Sequence, residues 1–319
     1  MRSGLAAALA CCALLSMQGA APAATVHALA TQRSSYADFA RLPATRLAVP
    51  GGGIAVAFGP GSPGPDRERV LGWVKSSAEA VADYYGKFPA AETRLLVLSR
   101  PGRGVSGGRT WAHRGSMIRI RVGESTSLQD LERDWVLVHE MTHLALPSLP
   151  DEHEWLEEGL ATYVESIARA QAGQLRAETV WAGFVDGMPK GLPQAGDRGL
   201  DHTPTWGRTY WGGALFCLLA DLEIRRRTDN RRGLQDALRA ILAEGNMETS
   251  SALVRLLAIG DHATGVPVLA ELYERMNDQP APVDLDEIWK RLGVERQGRT
   301  VRLVEDAPEA AIRRSITAP

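Results

Sequence analysis

His139-Glu140-Met141-Thr142-His143 lies near the middle of the chain, inside helical periodicity that predicts a helix over residues 127–146. Its two histidines stand at positions i and i+4, so they lie on one face of that helix. This spacing brings two imidazole nitrogens to a common point, where Zn–N bonds of about 2.0–2.1 Å can form. The carboxylate of Glu140 lies beside them and can accept a proton from the attacking water. The stretch therefore predicts a Zn²⁺ site with His139 and His143 as ligands.

A catalytic zinc site needs a third protein ligand, because two histidines and a water leave one tetrahedral position open. Metzincins carry a glycine three residues after the second histidine and a third histidine three residues beyond it. Leu146 and Leu149 occupy those positions, so that class is excluded. The third ligand must come from another segment of the chain.

The next predicted helix, over residues 151–171, contains Trp155-Leu156-Glu157-Glu158-Gly159-Leu160-Ala161-Thr162-Tyr163-Val164-Glu165. This segment resembles the WLxEGxAxYxE segment of gluzincins of the aminopeptidase N and glycyl aminopeptidase type. The resemblance implies that Glu158 is the third zinc ligand. Only 14 residues separate His143 from Glu158, fewer than in aminopeptidase N-like enzymes, so the intervening loop must be tight. The competing candidates for this ligand are His153, Glu154, Glu157 and Glu165.

A third stretch, Arg208-Thr209-Tyr210-Trp211-Gly212-Gly213-Ala214-Leu215, opens an apolar helix predicted over residues 208–228. It resembles the YxxGA helix of the same families, and the later run DLEIRRRT is most similar to the glycyl aminopeptidase branch. The resemblance implies that Tyr210 lies near the zinc. A phenolic O–H there can donate to the oxyanion that forms when water attacks a carbonyl. The alternative is that Tyr210 is an aromatic core residue.

The first part of the chain, residues 25–125, combines strand and helix patterns. Short apolar runs between glycines and prolines predict strands, including Thr93–Ser99 and Ser116–Val122. Arginines alternate with apolar residues in the second of these, which is typical of a half-buried or edge strand. An amphipathic helix is predicted from Asp66 to about Gly86. Together these elements predict a small α/β lobe that carries an edge strand.

The second part, residues 126–319, is predicted to be mainly helical. Further helices are predicted over residues 234–244, 250–258, 265–277 and 284–292. Residues 186–207 are rich in Gly and Pro and are expected to form a loop at the rim of a cleft, where His202 is open as a substrate contact. With the resemblance, the two lobes imply an α+β fold. The expected architecture is a zincin-like (thermolysin-like) catalytic domain whose helical lobe binds Zn²⁺.

Residues 1–24 have the layout of a secretory signal peptide, with Arg2, an apolar run and Ala21-Pro22-Ala23-Ala24. We therefore expect a secreted or periplasmic protein. Lipid attachment through Cys11 or Cys12 is disfavoured, because the residues before them match such a site poorly. No later segment has the roughly 20 uncharged apolar residues that a membrane-spanning helix needs.

The remaining cysteine and several tryptophans are predicted to be core residues. Cys217 lies among apolar residues, and without the signal segment it has no partner for an intrachain disulfide. Trp73, Trp135 and Trp289 fall at apolar positions of predicted helices. All four side chains are expected to contribute packing and no chemistry.

The charge balance of the 319-residue chain excludes some partners. Its 36 basic and 38 acidic residues nearly cancel, which argues against nucleic acid or an anionic membrane surface as a partner. A 45% hydrophobic content supports a packed core. The expected partner is a peptide or protein substrate, and the sequence gives no indication of oligomeric state.

The residues upstream of the zinc motif favour endopeptidase action. Aminopeptidase N-like enzymes carry there a glutamate that binds the substrate's amine, but neither Ser106–Thr110 nor Gly115–Met117 contains an acid. The ionisable residues of this region are Arg103, Arg109, His113, Arg114 and Arg119. Main-chain pairing of an extended peptide with the strand Ser116–Val122 is expected instead. Glu157 or Asp201 would restore an aminopeptidase, and a non-catalytic, zinc-stabilised peptide-binding protein is the third hypothesis.

Overall fold

The computed structural model describes residues 35–60 and 66–319, and a large hydrophobic core links the sheet and the helices within them. The predicted signal peptide, residues 1–24, lies outside the described residues. Within the described part, no helix is both long enough and apolar enough to cross a lipid bilayer.

A five-stranded sheet forms the first part of the fold. Its strands are β1 (Ala44–Val49), β2 (Gly52–Phe58), β3 (Glu92–Arg100), β4 (Val105–Trp111) and β5 (Met117–Gly123). The spatial order is β1-β2-β3-β5-β4, with parallel pairing of β3 to β2 and β5 and antiparallel pairing at both ends. The strand nearest the zinc motif, β4, is therefore an edge strand.

The prediction that Ser116–Val122 pairs with a peptide is wrong, because that strand, β5, lies between β3 and β4. The alternation of Arg119 and Arg121 reflects the exposure of one sheet face and carries no information about which strand is at the edge. Arg119 lies over the ring of Trp111 on the neighbouring β4, at 5.3 Å from its centroid. The free backbone groups belong to β4 instead.

Helix α1 (Arg67–Tyr85) packs against the sheet and confirms the helix predicted from Asp66. It begins where the side chain of Asp66 accepts a hydrogen bond from the N–H of Arg69. It ends at Gly86, whose φ of 82° is left-handed and favours glycine.

Helices dominate the second part of the fold. They are α2 (Leu128–Glu132), α3 (Val136–His143), α4 (Glu154–Gln171), α5 (Ala177–Gly187), α6 (Gly213–Arg227), α7 (Leu234–Glu244), α8 (Leu253–Thr264), α9 (Val268–Met276), α10 (Leu285–Leu292) and α11 (Ala310–Thr317), with a hairpin of β6 (Val294–Gln297) and β7 (Thr300–Leu303). The sequence did not predict α5, α11 or this hairpin. The α+β class and the helical second lobe are as predicted.

The single helix predicted over residues 127–146 is two helices, α2 and α3. The side chain of Asp134 accepts the N–H of Leu137 at 3.0 Å and so starts a new helix after Arg133. Apolar periodicity continues across this break, so the pattern alone could not locate it.

A pair of glycines brings α4 and α6 together. A Cβ atom on Gly159 would lie 2.3 Å from the Cα of Gly213, so only glycine permits this approach. Glu158 immediately precedes the contact on α4, and Tyr210 lies one turn before α6. The close packing therefore places these two side chains in the same region.

Candidate metal centre and active site

His139, His143 and Glu158 meet at one point between α3 and α4. Oε2 of Glu158 lies 3.1 Å from Nε2 of His139 and 3.6 Å from Nε2 of His143. Their possible ligand atoms all lie within 4.8 Å of one another. The structure thus brings together the three residues that the sequence and the resemblance predict as ligands.

This group fits a zinc ion. A tetrahedron with Zn–N and Zn–O bonds of about 2.0–2.1 Å places neighbouring ligand atoms about 3.3 Å apart, close to the two distances above. Two nitrogens and one carboxylate oxygen leave the fourth position open, as catalytic zinc sites do. The donor set and its spacing therefore suit Zn²⁺.

The protonation of His143 and Glu158 also suits metal binding. Burial lowers the pKa of His143 to about 4, which keeps its imidazole neutral. Burial raises the pKa of Glu158, but the hydrogen bond from His139 and the nearby imidazoles outweigh it and bring the pKa below its ordinary value. A neutral imidazole and an ionised carboxylate are the forms that bind a metal.

Glu140 is held against the edge strand β4. The hydroxyl of Thr110 donates a hydrogen bond to its Oε2 at 2.6 Å. A Cβ atom on Gly108 would lie 2.4 Å from the Cγ of Glu140 and 2.7 Å from its Oε1, so glycine makes the room that the carboxylate occupies. Burial raises the pKa of Glu140 to about 6 against the lowering effect of Thr110. A buried carboxylate with a raised pKa suits a residue that takes up and returns a proton.

Tyr210 lies beside His139, in a π-helical turn over Gly207–Gly212. Its ring stacks on the imidazole of His139, with centroids 6.3 Å apart and planes 16° from parallel. Burial, followed by the negative charge of Glu158, raises the pKa of Tyr210 to about 12. The phenol is therefore protonated at neutral pH and can donate a hydrogen bond.

A buried ion pair anchors the turn that carries Tyr210. Nε of Arg208 lies 2.7 Å from Oδ2 of Asp197, and the two side chains are only 3% and 1% exposed. π-Helical turns of this kind are often found at functional sites. The predicted rim loop, residues 186–207, is thus tied to the turn by a buried contact.

His153 and Asp201 have other partners and do not join the metal group. One carboxylate oxygen of Asp201 lies 3.0 Å from Nδ1 of His153 and accepts the indole N–H of Trp155 at 2.7 Å. Its other oxygen accepts the hydroxyl of Tyr273, also at 2.7 Å. His153 is therefore not placed as a ligand, and Asp201 is not free to bind a substrate amine.

The other candidates also lie outside the metal group. Glu157 accepts the backbone N–H of Leu149 at 2.9 Å. Glu165 lies 3.6 Å from the guanidinium of Arg169, and burial raises its pKa to about 7. Glu154 is exposed at the first residue of α4, one turn before Glu158. His202 is exposed and outside the group.

The prediction that Trp135 packs in the core is wrong. Its side chain is 51% exposed, and its ring lies edge-on to His139 with centroids 5.5 Å apart. It directly precedes α3, at the helix break that apolar periodicity hides. Trp73, Trp289 and Cys217 are buried, as predicted.

Trp206 was not predicted from the sequence as a residue of the site. This residue is 62% exposed and stacks on Tyr210 with centroids 5.9 Å apart. The available signal was a tryptophan inside a polar, glycine- and proline-rich loop, directly before the stretch that carries Tyr210. Two exposed indoles therefore flank the metal group.

Comparisons with known proteins identify the fold. No family model matches the sequence, and no curated protein matches it. An aminopeptidase N family protein from Idiomarina loihiensis is similar, with a TM-score of 0.62 and 15% identity over 80% of this chain and 49% of its own. An M1 zinc metallopeptidase mutant from Deinococcus radiodurans, bound to a Tyr-Ser-Ala substrate, has a TM-score of 0.50 and 17% identity over 76% and 53%.

The chain thus spans about half the length of these solved structures. At this level of identity the similarity concerns the fold. It confirms the predicted α+β, zincin-like fold. The donor set of His139, His143 and Glu158 is a separate observation, and it fits Zn²⁺.

Proposed function

We propose that this protein is a zinc-dependent peptidase. The observation that carries the proposal is the convergence of His139, His143 and Glu158, with Glu140 on the same helix as the two histidines and Tyr210 stacked on His139. Zinc, when bound, would lower the pKa of a water toward about 7 and polarise the scissile carbonyl. A closed structural site would need four protein ligands and would not require Glu140 or Tyr210.

Glu140 and Tyr210 have separate roles in this proposal. Glu140 takes a proton from the attacking water and later delivers it to the leaving amine, while Thr110 keeps its carboxylate oriented. The protonated phenol of Tyr210 donates a hydrogen bond to the oxyanion that develops on the substrate.

The edge strand β4 supplies the binding surface for an extended peptide. Its outer edge has no neighbouring strand among the described residues, so its N–H and C=O groups are free to pair with a substrate backbone. Thr110 and Gly108 on the same strand contact Glu140. A peptide paired to β4 would therefore run past the catalytic carboxylate.

We favour cleavage within peptides over removal of N-terminal residues. β4 carries no acidic side chain that could pair with an α-ammonium, and an unpaired buried charge is costly. Glu157 and Asp201, the two acids that would restore an aminopeptidase, are engaged by Leu149 and by the cluster around Trp155.

Aminopeptidase action is the second candidate. Glu154 is an exposed carboxylate one turn before Glu158, and its charge contributes to the raised pKa of Tyr210. The similar protein from Idiomarina loihiensis is described as an aminopeptidase N family protein. A peptide should be compared with its amine free and acetylated. Stepwise release of single residues from the free peptide only, lost in Glu154→Gln, would establish the aminopeptidase and reject our preference.

The proposal itself is tested with metal. We expect the purified protein to cleave a fluorogenic peptide mixture, to lose this activity with a chelator and to regain it with Zn²⁺. We expect His143→Ala to lose both the metal and the activity, because one of three ligands is gone. A zinc-loaded protein that cleaves no peptide would favour the non-catalytic binding hypothesis.

Export from the cytoplasm is part of the proposal. It depends on residues 1–24 alone, and N-terminal sequencing of the protein from the periplasm or medium tests it. A mature protein that begins after Ala24 is the expected result.

A further inference from the structure

A large cavity adjoins the metal group on the side of Tyr210. Its volume is about 850 Å³, within the range of small-molecule and side-chain sites. Tyr210 and Trp135 form part of its wall, and both rings lie against the imidazole of His139, so the cavity lies beside the metal site. Helices α4 and α5 supply its deeper wall through residues such as Thr162 and Val180.

Five of the residues that line the cavity are aromatic. They are Trp135, Phe184, Trp206, Tyr210 and Trp211. Aromatic rings offer large apolar faces and favour contacts with other rings in stacked or edge-on geometry. Such a wall selects for a flat apolar group.

Several charged groups that line the cavity have partners in the protein. Arg169 lies 3.6 Å from Glu165 and donates a hydrogen bond to the backbone oxygen of Glu132 at 2.9 Å. The ammonium of Lys190 lies over the ring of Trp211, 5.4 Å from its centroid. Glu132 and Arg133 also line the cavity and are exposed, and the apolar recognition surface is formed by the two exposed indoles, Trp135 and Trp206.

Exposure of the two tryptophans points to an occupant. Four large hydrophobic side chains are exposed in the described part of the chain, and two of them, Trp135 and Trp206, line this cavity. Exposed indoles in a concave site are typical of a surface that is covered when a ligand binds.

We infer that the cavity is the specificity pocket of the enzyme and receives an aromatic side chain of the substrate close to the cleaved bond. The inference rests on the proposed peptidase function, since it assigns this pocket to that active site. The exposed rings of Trp206 and Trp135 contact this side chain, and Trp206 is the residue to vary because, unlike Trp135, it does not directly precede a metal-binding helix.

Matched peptides test the pocket through activity. Each series varies a single position near the cleaved bond, which carries Phe, Ala, Lys or Glu. Separate series vary each position on either side of that bond. At one position we expect kcat/KM to be about 10- to 100-fold higher for Phe than for Ala, from the burial of an aromatic ring. Trp206→Ala should remove most of this preference and Trp206→Phe should retain part of it. Val254→Ala, at an exposed apolar residue of α8, is the matched control and should leave it unchanged.

Peptide binding provides a second measurement that does not need turnover. Calorimetry with Glu140→Gln protein should show tighter binding of the Phe peptide than of the Ala peptide, and the difference should disappear with Trp206→Ala. Two results would refute the assignment of the cavity as an aromatic specificity pocket and leave the peptidase proposal standing. One is cleavage without aromatic preference, and the other is a preference that Trp206→Ala leaves intact. Absence of cleavage together with Trp206-dependent binding would reject the peptidase proposal and support the pocket.

Discussion

Gly108→Ala should inactivate the enzyme without removing its metal. The added Cβ would lie 2.4 Å from the Cγ of Glu140 and 2.7 Å from its Cδ, whereas ordinary contacts are 3.4–4 Å. Relief of this overlap requires a shift of about 1 Å between β4 and the carboxylate, and a misplacement of that size costs about 10²-fold in rate. The hydrogen bond from Thr110 to Glu140 would be disturbed by the same shift.

The assay is kcat on a fluorogenic peptide, measured alongside zinc content and Tm. We expect kcat to fall about 10²-fold while the protein retains a full complement of zinc, because Glu140 is not one of the three ligands. Gly72→Ala is the matched control. A Cβ at this helical glycine of α1 meets nothing within 4 Å, so its activity should equal that of the wild type.

Two results would refute this reasoning. Wild-type kcat in Gly108→Ala would show that β4 absorbs the methyl group and that Glu140 does not depend on glycine at this position. Loss of zinc in proportion to activity would show that the strand supports the metal group and not the carboxylate alone.

Three further substitutions test proton transfer by Glu140, the buried ion pair of Asp197 and the raised pKa of Asp134. Glu140→Gln should bind zinc as the wild type does but lose about 10²–10⁴-fold in kcat, and loss of metal in this variant would contradict its role as a proton carrier. Asp197→Asn should lower stability by about 3–5 kcal/mol, read as a fall in Tm, because it leaves a buried arginine unpaired; an unchanged Tm would refute this. Burial raises the pKa of Asp134 to about 6 against the lowering effect of Arg169, and the charge of Asp134 contributes to the raised pKa of Glu165. Protonation of Asp134 therefore stabilises the folded state at low pH, and this contribution to the free energy of unfolding is lost as pH rises through about 6. Urea unfolding of zinc-free protein from about pH 4 to 7 should therefore show a smaller loss of stability in Asp134→Asn, which keeps the cap, and equal slopes would refute the assignment.

Residues that are neighbours on one helix could be predicted from the sequence. His139 and His143 share a face because their spacing matches the helical repeat, and the structure places them so. The resemblance was needed for Glu158 and Tyr210, since their approach depends on how α4 and α6 pack. Periodicity describes one helix and carries no information about which helix it will contact.

Features set by long-range order could not be predicted. The edge position of β4 depends on the strand order β1-β2-β3-β5-β4. In this order β5, the last of the five strands along the chain, lies inside the sheet. The exposure of Trp135 depends on a helix break fixed by one side chain, Asp134. In both cases the local pattern is compatible with burial, and the contacts of distant segments decide the outcome.

Glycines at close contacts shape this site as much as the reactive groups do. Glu140 fits because Gly108 has no Cβ, and Tyr210 reaches the metal group because Gly159 and Gly213 let two helices touch. The acid and the phenol thus depend on different glycines, on the sheet and on the helices respectively. Substitutions at the two places should therefore affect catalysis independently: Gly108→Ala should impair proton transfer, whereas Gly159→Ala should move Glu158 and weaken zinc binding. Equal loss of zinc in both variants would argue against this division.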